Sequence, residues 1–317
     1  MPALLRVSHA TSGLSDLLVS LPMLSPRVLA AMAVVFWGIS FVATKAALAE
    51  VSPITLIFSR FAIAAVVLLL VVRELPPRES WGALALMGFV GVFIHQMLQS
   101  YALTMTSATN TGWLIGVTPI WSAVLSAIVL RERFGFWKVV GLVGGFAGAL
   151  LVVTKGDFSV RALGRPSTTG DLLILISTVN WAIYSVLGHK TIHRLGPRRA
   201  TSGAMLFGAI MLAPFFVVRR GWVELPRLTA TGWSALLFLA IACSALGYLF
   251  WYGALERLEV SRVAALLYAE PLVTFAAAAL LLGERVSAVV VIGGVLVLAS
   301  VLIAQYAPAV TRSVEEA

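Results

Sequence analysis

Ten apolar runs follow one another along the chain, each bounded by charge or by proline and glycine. They fall near residues 28–49, 53–72, 81–103, 107–130 and 136–154, and then near 171–189, 198–218, 231–254, 261–282 and 287–306. Most match the roughly 20 residues that a helix needs to cross a bilayer. Lipid cannot satisfy free backbone groups, so each run is expected to be a helix. The alternation of a β-barrel strand is absent. The pattern predicts an all-α polytopic membrane protein with ten transmembrane helices.

The two ends stand outside this pattern. Residues 1–27 contain Asp16, Pro22 and Pro26 and show neither the apolar core nor the cleavage site of a secretory signal. They are expected to be a cytoplasmic segment, with residues 1–22 dispensable or preceding a true start at Met23. Residues 307–317 read as a C-terminal tail.

The runs also repeat. Trp37 and Ile39 recur as Trp181 and Ile183, and Ser52-Pro53 as Gly196-Pro197, at a spacing of 144 residues. Farther on the spacing is 152. Trp81 then matches Trp233, Ala102-Leu103 matches Ala254-Leu255, and Thr118-Pro119 matches Glu270-Pro271. Glu132-Arg133 matches Glu284-Arg285, and Gly141 matches Gly293. One eight-residue insertion after the seventh run reconciles the two spacings. The organisation predicted is a five-helix repeat over 28–154, a polar linker over 155–170 and a second five-helix repeat over 171–306. Five crossings is an odd number, so the second repeat enters from the opposite side and the halves are inverted. Inverted halves around a midplane site are a recurrent transporter plan.

Composition narrows the class. The 317 residues are 60% hydrophobic and 12% charged, against about 45–50% and 25% in soluble domains. A soluble enzyme, a disordered chain and a disulfide scaffold are excluded. The net charge of +9 does not point to nucleic acid, because the basic residues lie in short gaps between apolar runs. With the N-terminus inside, 14 of the 23 lysines and arginines fall on the cytoplasmic side, 7 on the other, and Lys45 and Arg60 within spans. That bias predicts both termini in the cytoplasm. Cys243 is the one cysteine; inside an apolar run it reads as a small packed core residue.

At this point the chain resembles a known family. Trp37-Gly38, Ser59-Arg60-Phe61, Tyr101-Ala102-Leu103, Thr118-Pro119 and Arg131-Glu132-Arg133 are similar to the first repeat of EamA-type transporters of the drug/metabolite transporter superfamily. Trp181-Ala182, Gly253-Ala254-Leu255, Glu270-Pro271 and Gly283-Glu284-Arg285 continue the resemblance through the second. The resemblance implies ten helices in inverted repeats, a bacterial inner membrane, and export or uptake of small metabolites. The family handles amino acids, vitamins, amines and drugs, so no substrate follows. Ala204 stands where Arg60 would recur, which confines any role of that arginine to the first half.

Among the candidate residues Glu270 is the most informative. It falls near the middle of the ninth run, where a charge costs roughly 2.5–3.5 kcal/mol on insertion scales. It must face a wet cavity, pair with a cation or carry a proton, so it is a candidate for substrate binding and for coupling. A structural carboxyl paired with Arg60 is the alternative. Pro271 and its counterpart Pro119 are expected to bend their helices as hinges. In the third run His95 and Gln99 share a face with Gln96 beside them, either lining the cavity or holding helices together. In the sixth, Ser177, Asn180, Trp181 and Tyr184 follow helical spacing; Trp37, Ser40 and Thr44 do so in the first. Asn110, Trp113 and Tyr248 extend the candidate walls, while Trp251 and Tyr252 fit an interfacial belt equally well. Lys45 is expected to snorkel to water. Arg60, too deep for that, either pairs with Glu270, caps helix carbonyls or attracts an anionic substrate group. Gly141, Gly144, Gly145 and Gly148 form small-residue pairs that pack within the bundle or in a dimer.

No nucleophile–base set, Walker loop or metal-spaced cluster is present, so neither enzyme activity nor a metal or other cofactor is expected. The sequence predicts a secondary transporter for a small polar or amphipathic metabolite, with export of amino-acid-like compounds as the favoured reading. A multidrug exporter or lipid-linked flippase and a non-transporting scaffold are the other readings. The partners expected are the small-molecule substrate and the bilayer, with monomer and homodimer both open.

Overall fold

The structure is a computed structural model that describes residues 24–72, 76–130, 136–159, 161, 164–258, 263 and 265–305. The N-terminal segment to residue 23, the Arg131-Glu132-Arg133 motif and the tail from residue 306 lie outside the described residues. Every regular element among the described residues is helical.

Helix α1 (Pro26–Leu48) opens on Ser25, whose Oγ accepts the Val28 N–H at 3.3 Å. Pro26 sits in the first turn, where a missing N–H costs nothing. Helices α2 (Pro53–Val72), α3 (Arg78–Met105), α4 (Ala108–Ile115), α5 (Thr118–Leu130) and α6 (Phe136–Thr154) follow. The next helical stretch runs Pro166–Val218 and is divided at Gly196, whose φ of 77° and ψ of 160° break the winding. The parts on either side are α7 (166–195) and α8 (197–218). Then come α9 (Ala230–Leu255), α10 (Leu266–Leu282) and α11 (Ala288–Gln305). Six stretches are long and apolar enough to cross a membrane: α1, α2, α3, Pro166–Gly188, Lys190–Val218 and α9. Val139–Thr154, Leu266–Leu282 and Ala288–Ser300 are shorter apolar helices.

Two differences from the sequence pattern have local causes. The fourth apolar run is broken between α4 and α5. Pro119 has no N–H for the Ile115 carbonyl, which accepts the Thr118 hydroxyl at 2.6 Å instead. Gly116 and Val117 close the break with short turns back to Trp113 and Leu114. The other difference lies in the linker, whose last residues belong to α7, because Pro166 starts that helix five residues before the apolar run does. Ahead of it Asp157 accepts the Ser159 N–H at 3.0 Å and an Arg165 N–H at 2.5 Å. Ser159 above all, and then Arg165, hold its carboxyl below the usual carboxylate range.

Helices α3 and α9 are wound more loosely over Gly88–Ile94 and Phe238–Leu246, in π-helical form. The 152-residue spacing carries the first stretch onto 240–246. Val90 O accepts the Asn180 amide at 2.8 Å and Cys243 O accepts the Trp37 indole N–H at 3.0 Å. Each loosened segment is thus tied to a tryptophan-bearing helix in the other half of the chain. Helices α6 and α11 meet backbone to backbone: a Cβ on Gly148 would lie 2.7 Å from Gly293 O, and one on Gly293 would lie 2.9 Å from Gly148 O. Gly144 faces Ser300, so these small residues pack within the bundle. Large apolar side chains such as Val66, Leu280, Leu281 and Ile292 point outward, whereas Arg60, His95 and Glu270 are buried.

Candidate functional site

A small cavity lies where α1, α2, α3, α7, α9 and α10 converge. Its free volume is about 40 Å³, space for a few waters at most. Helix α1 contributes Trp37, Ser40 and Thr44, which recur at helical spacing on one face. Helix α3 contributes His95, Gln96 and Gln99, so the polar stripe read from the third run does face this space.

Arg60 on α2 is 6% exposed. Its Nε donates to Ser244 Oγ at 2.6 Å and one terminal nitrogen donates to Gln96 Oε1 at 3.2 Å. Both partners are neutral. Glu270 begins the α-helical part of α10 and is 4% exposed. Among the described residues no group donates a hydrogen bond to its carboxylate, and the Arg60 donors that are engaged go to Ser244 and Gln96. The Arg60–Glu270 pair, one of the alternatives left open by the sequence, is not formed, although both side chains line the cavity. Glycines fix where Glu270 sits. A Cβ on Gly38 would lie 2.7 Å from Val273, and one on Gly112 would lie 2.6 Å from Thr274. Thr274 Oγ1 ties the two helices together at the Gly38 and Glu270 carbonyls, 2.9 and 3.0 Å away. His95 stacks 5.0 Å from the Trp181 ring, and its Nδ1 is buried without a partner.

Packed side chains flank the cavity at both ends. Toward the N-terminal end of α1, Trp37 packs edge to face on Trp181 and Tyr248, with centroids 5.2 and 5.5 Å away, and 5.2 Å from Trp251. Tyr184 and Tyr252 complete this cluster through joined hydroxyls. Beyond it lies a hollow of about 340 Å³ lined by Leu29, Leu249 and Arg257.

Polar groups flank the opposite end. Lys45 Nζ donates to the carbonyls of Leu103, which lines the cavity, and Thr106, which lines a second hollow of about 460 Å³. The lysine is bonded to the protein rather than reaching out to water alone, as its place near a helix end had suggested. Three carboxylates grip helix starts, and of these Glu284 lines the second hollow together with Lys45. Glu284 accepts the Ala108 and Thr109 N–H groups at 3.0 Å each and the Thr109 hydroxyl at 2.7 Å. Glu50 takes the N–H and hydroxyl of Thr229 at 2.7 and 2.8 Å. Glu224 takes those of Ser52 at 2.7 and 3.0 Å. Anionic groups are favoured at helix N-termini. Asp171, fully buried, accepts from Thr106 and from the Asn110 amide.

Of the residues singled out from sequence, Trp37, Arg60, His95, Gln96, Gln99, Tyr248 and Glu270 come together around the cavity. Asn180, Tyr184 and Trp113 are not among its lining. Asn180 is engaged with Val90, Tyr184 lies in the aromatic cluster, and Trp113 packs against Phe275 at 5.9 Å. Pro119 follows the lining residue Thr118, and Pro271 touches the Gly116 break. Ser100, Thr118 and Leu267 line the cavity too; small or apolar side chains in apolar runs carry no signal that would mark them.

Comparison with known proteins places these observations in context. Residues 25–154 and 168–306 each match the EamA-like transporter family. An uncharacterized transporter of Archaeoglobus fulgidus is 33% identical over 278 residues, covering 86% of this chain and 96% of its own. The uncharacterized transporter YyaM of Bacillus subtilis is 29% identical, with coverage of 85% and 90%. A probable terminal-alkyne amino-acid exporter of Streptantibioticus cattleyicolor is 26% identical, with coverage of 86% and 90%. One solved crystal structure shares the fold with a TM-score of 0.63 at 20% identity, covering 88% of this chain and 96% of that one.

Proposed function

The chain belongs to the EamA-like transporter family, and from that premise we propose that it is a secondary transporter that carries a small amino-acid-like metabolite by alternating access. The family is membrane-embedded and its members are transporters. In this reading the chain crosses a bacterial inner membrane ten times, α4 and α5 together making one crossing, with both termini in the cytoplasm. The halves 28–154 and 171–306 are inverted about the cavity. The matched spacing of the two π-helical segments and their reciprocal ties through Asn180 and Trp37 support that symmetry.

One observation carries the proposal. A cavity between an aromatic end and a polar end is lined by Arg60 and Glu270, both buried, with no ion pair between them. Burying charged groups is costly unless partners are supplied. A polar cargo supplies them. Rocking of the halves opens the aromatic end in one state and the carboxylate end in the other. Arg60, Glu270, His95, Gln96, Gln99, Trp37 and Tyr248 bind substrate. Asn180, Tyr184 and Trp113 support those walls, and Pro119 and Pro271 serve as hinges. The amino-acid preference is supported by the exporter from Streptantibioticus cattleyicolor, and export is the favoured direction.

The test is counterflow in liposomes with the purified full-length protein. Labelled amino acid should accumulate in vesicles preloaded with the same compound, and empty vesicles should show none. Loss of counterflow for every soluble metabolite tried, with movement of a labelled lipid instead, would select the flippase reading. Glu270 is also the proposed site of proton coupling, so Glu270→Asp, which keeps the carboxyl group at a shorter reach, should shift the pH dependence of transport. An unchanged dependence contradicts that role.

A further inference from the structure

The proposal that follows rests on the cavity being the transport site. Arg60 stands on α2, in the first repeat, and Glu270 on α10, in the second. A direct pair would be the cheapest way to bury both charges, yet each is left short of partners. A guanidinium has five N–H donors; two are used here, on Ser244 and Gln96. No donor is recorded on Glu270 among the described residues. His95 Nδ1 adds a further unmet position in the same wall.

We infer that a zwitterion bridges the two halves at this point, its carboxylate held by the free edge of Arg60 and its ammonium by Glu270, and that both charges are required for transport. A ligand with one charge grips one half only and leaves the opposite buried charge unmet. A zwitterion satisfies both and draws α2 and α10 onto a single small body. The requirement falls on the occlusion step, beyond affinity alone. A site built around buried polar groups rejects an analogue that lacks the matching group far more strongly than it rejects one lacking a methylene. The adjoining rings of Trp37 and Trp181 give the apolar wall against which a side chain packs.

The experiment uses wild-type full-length protein in liposomes, so no variant need fold. Exchange is measured for neutral L-amino acids, for the amines that lack their carboxylate and for the carboxylic acids that lack their amino group. The expected result is exchange of one or more amino acids, with both partial analogues slower by about 100-fold or more. Equal exchange of the amine or of the acid overturns the inference and leaves the transport reading intact. Exchange of uncharged metabolites alone does the same. Exchange of nothing overturns the transport reading, and this inference with it. As a second readout, Arg60→Gln should shift preference toward the amino-acid amide by at least about tenfold relative to the free acid; an unshifted ratio assigns the carboxylate elsewhere.

Discussion

At one end of the cavity six aromatic rings meet on Trp37, Trp181 and Tyr248; beyond the other, Glu284 lines the second hollow and, like Glu50 and Glu224, grips a helix start. Each ring buries about 150–250 Å² and is held by area, with no single contact decisive. Each carboxylate is held by two or three directional bonds, and hydrogen bonds to charged groups contribute about 1.5–3 kcal/mol net. The first kind of closure excludes water and yields only when many contacts go together. The second can exchange its partners for water one at a time. The carboxylate end is therefore expected to open at lower cost, and the aromatic end to act as the thick barrier.

The largest effect should come from breaking the aromatic end. Trp37→Ala removes the ring shared by three neighbours and the bond to Cys243 O, and should cost about 3–5 kcal/mol. Thermal unfolding in detergent reads that loss. A midpoint equal to wild type would mean that the rings do not form one unit.

Next comes Glu284→Ala, which strips three bonds from the start of α4. A loss of about 1–2 kcal/mol is expected. More telling, a cysteine at Thr44, introduced with Cys243→Ala, should react faster with an impermeant thiol reagent once Glu284 is gone. Unchanged labelling would remove Glu284 from the closure. The smallest effect should follow Glu50→Gln, whose partner Thr229 is exposed; about 0.3–1 kcal/mol is expected from the lost charge at the start of α9. If Glu50→Gln equals or exceeds Trp37→Ala in cost, the contrast between the two ends is wrong.

Which parts of this arrangement were legible depends on contrast within the chain. Glu270, Arg60 and the His95–Gln99 stripe stand out because each is a polar group in an apolar run, and all of them reach the cavity. The family features were legible for the same reason: ordered motifs recurring at fixed spacing survive even where each is weak. Asn180 is as polar as those residues but is spent on the Val90 carbonyl, which also accepts the His95 N–H, and no residue type announces a contact so distant in sequence. Asp171 was passed over because it stands at the edge of a run, where an acid ordinarily meets water. It is fully buried under Thr106 and Asn110. Pro119 announced a bend but not its form, since the substitute bond from Thr118 to Ile115 O decides where the helix stops. Lys45 was read from its depth alone; the Leu103 and Thr106 carbonyls that hold it are distant in sequence.

The central claim, that Arg60 and Glu270 together form the transport site, is tested most directly by counterflow of an exchanged amino acid through Arg60→Gln and Glu270→Gln. Both are measured beside wild type at matched reconstitution and with their melting midpoints recorded. The account predicts that both variants insert and fold, and that each loses exchange. Wild-type exchange by either one would contradict it.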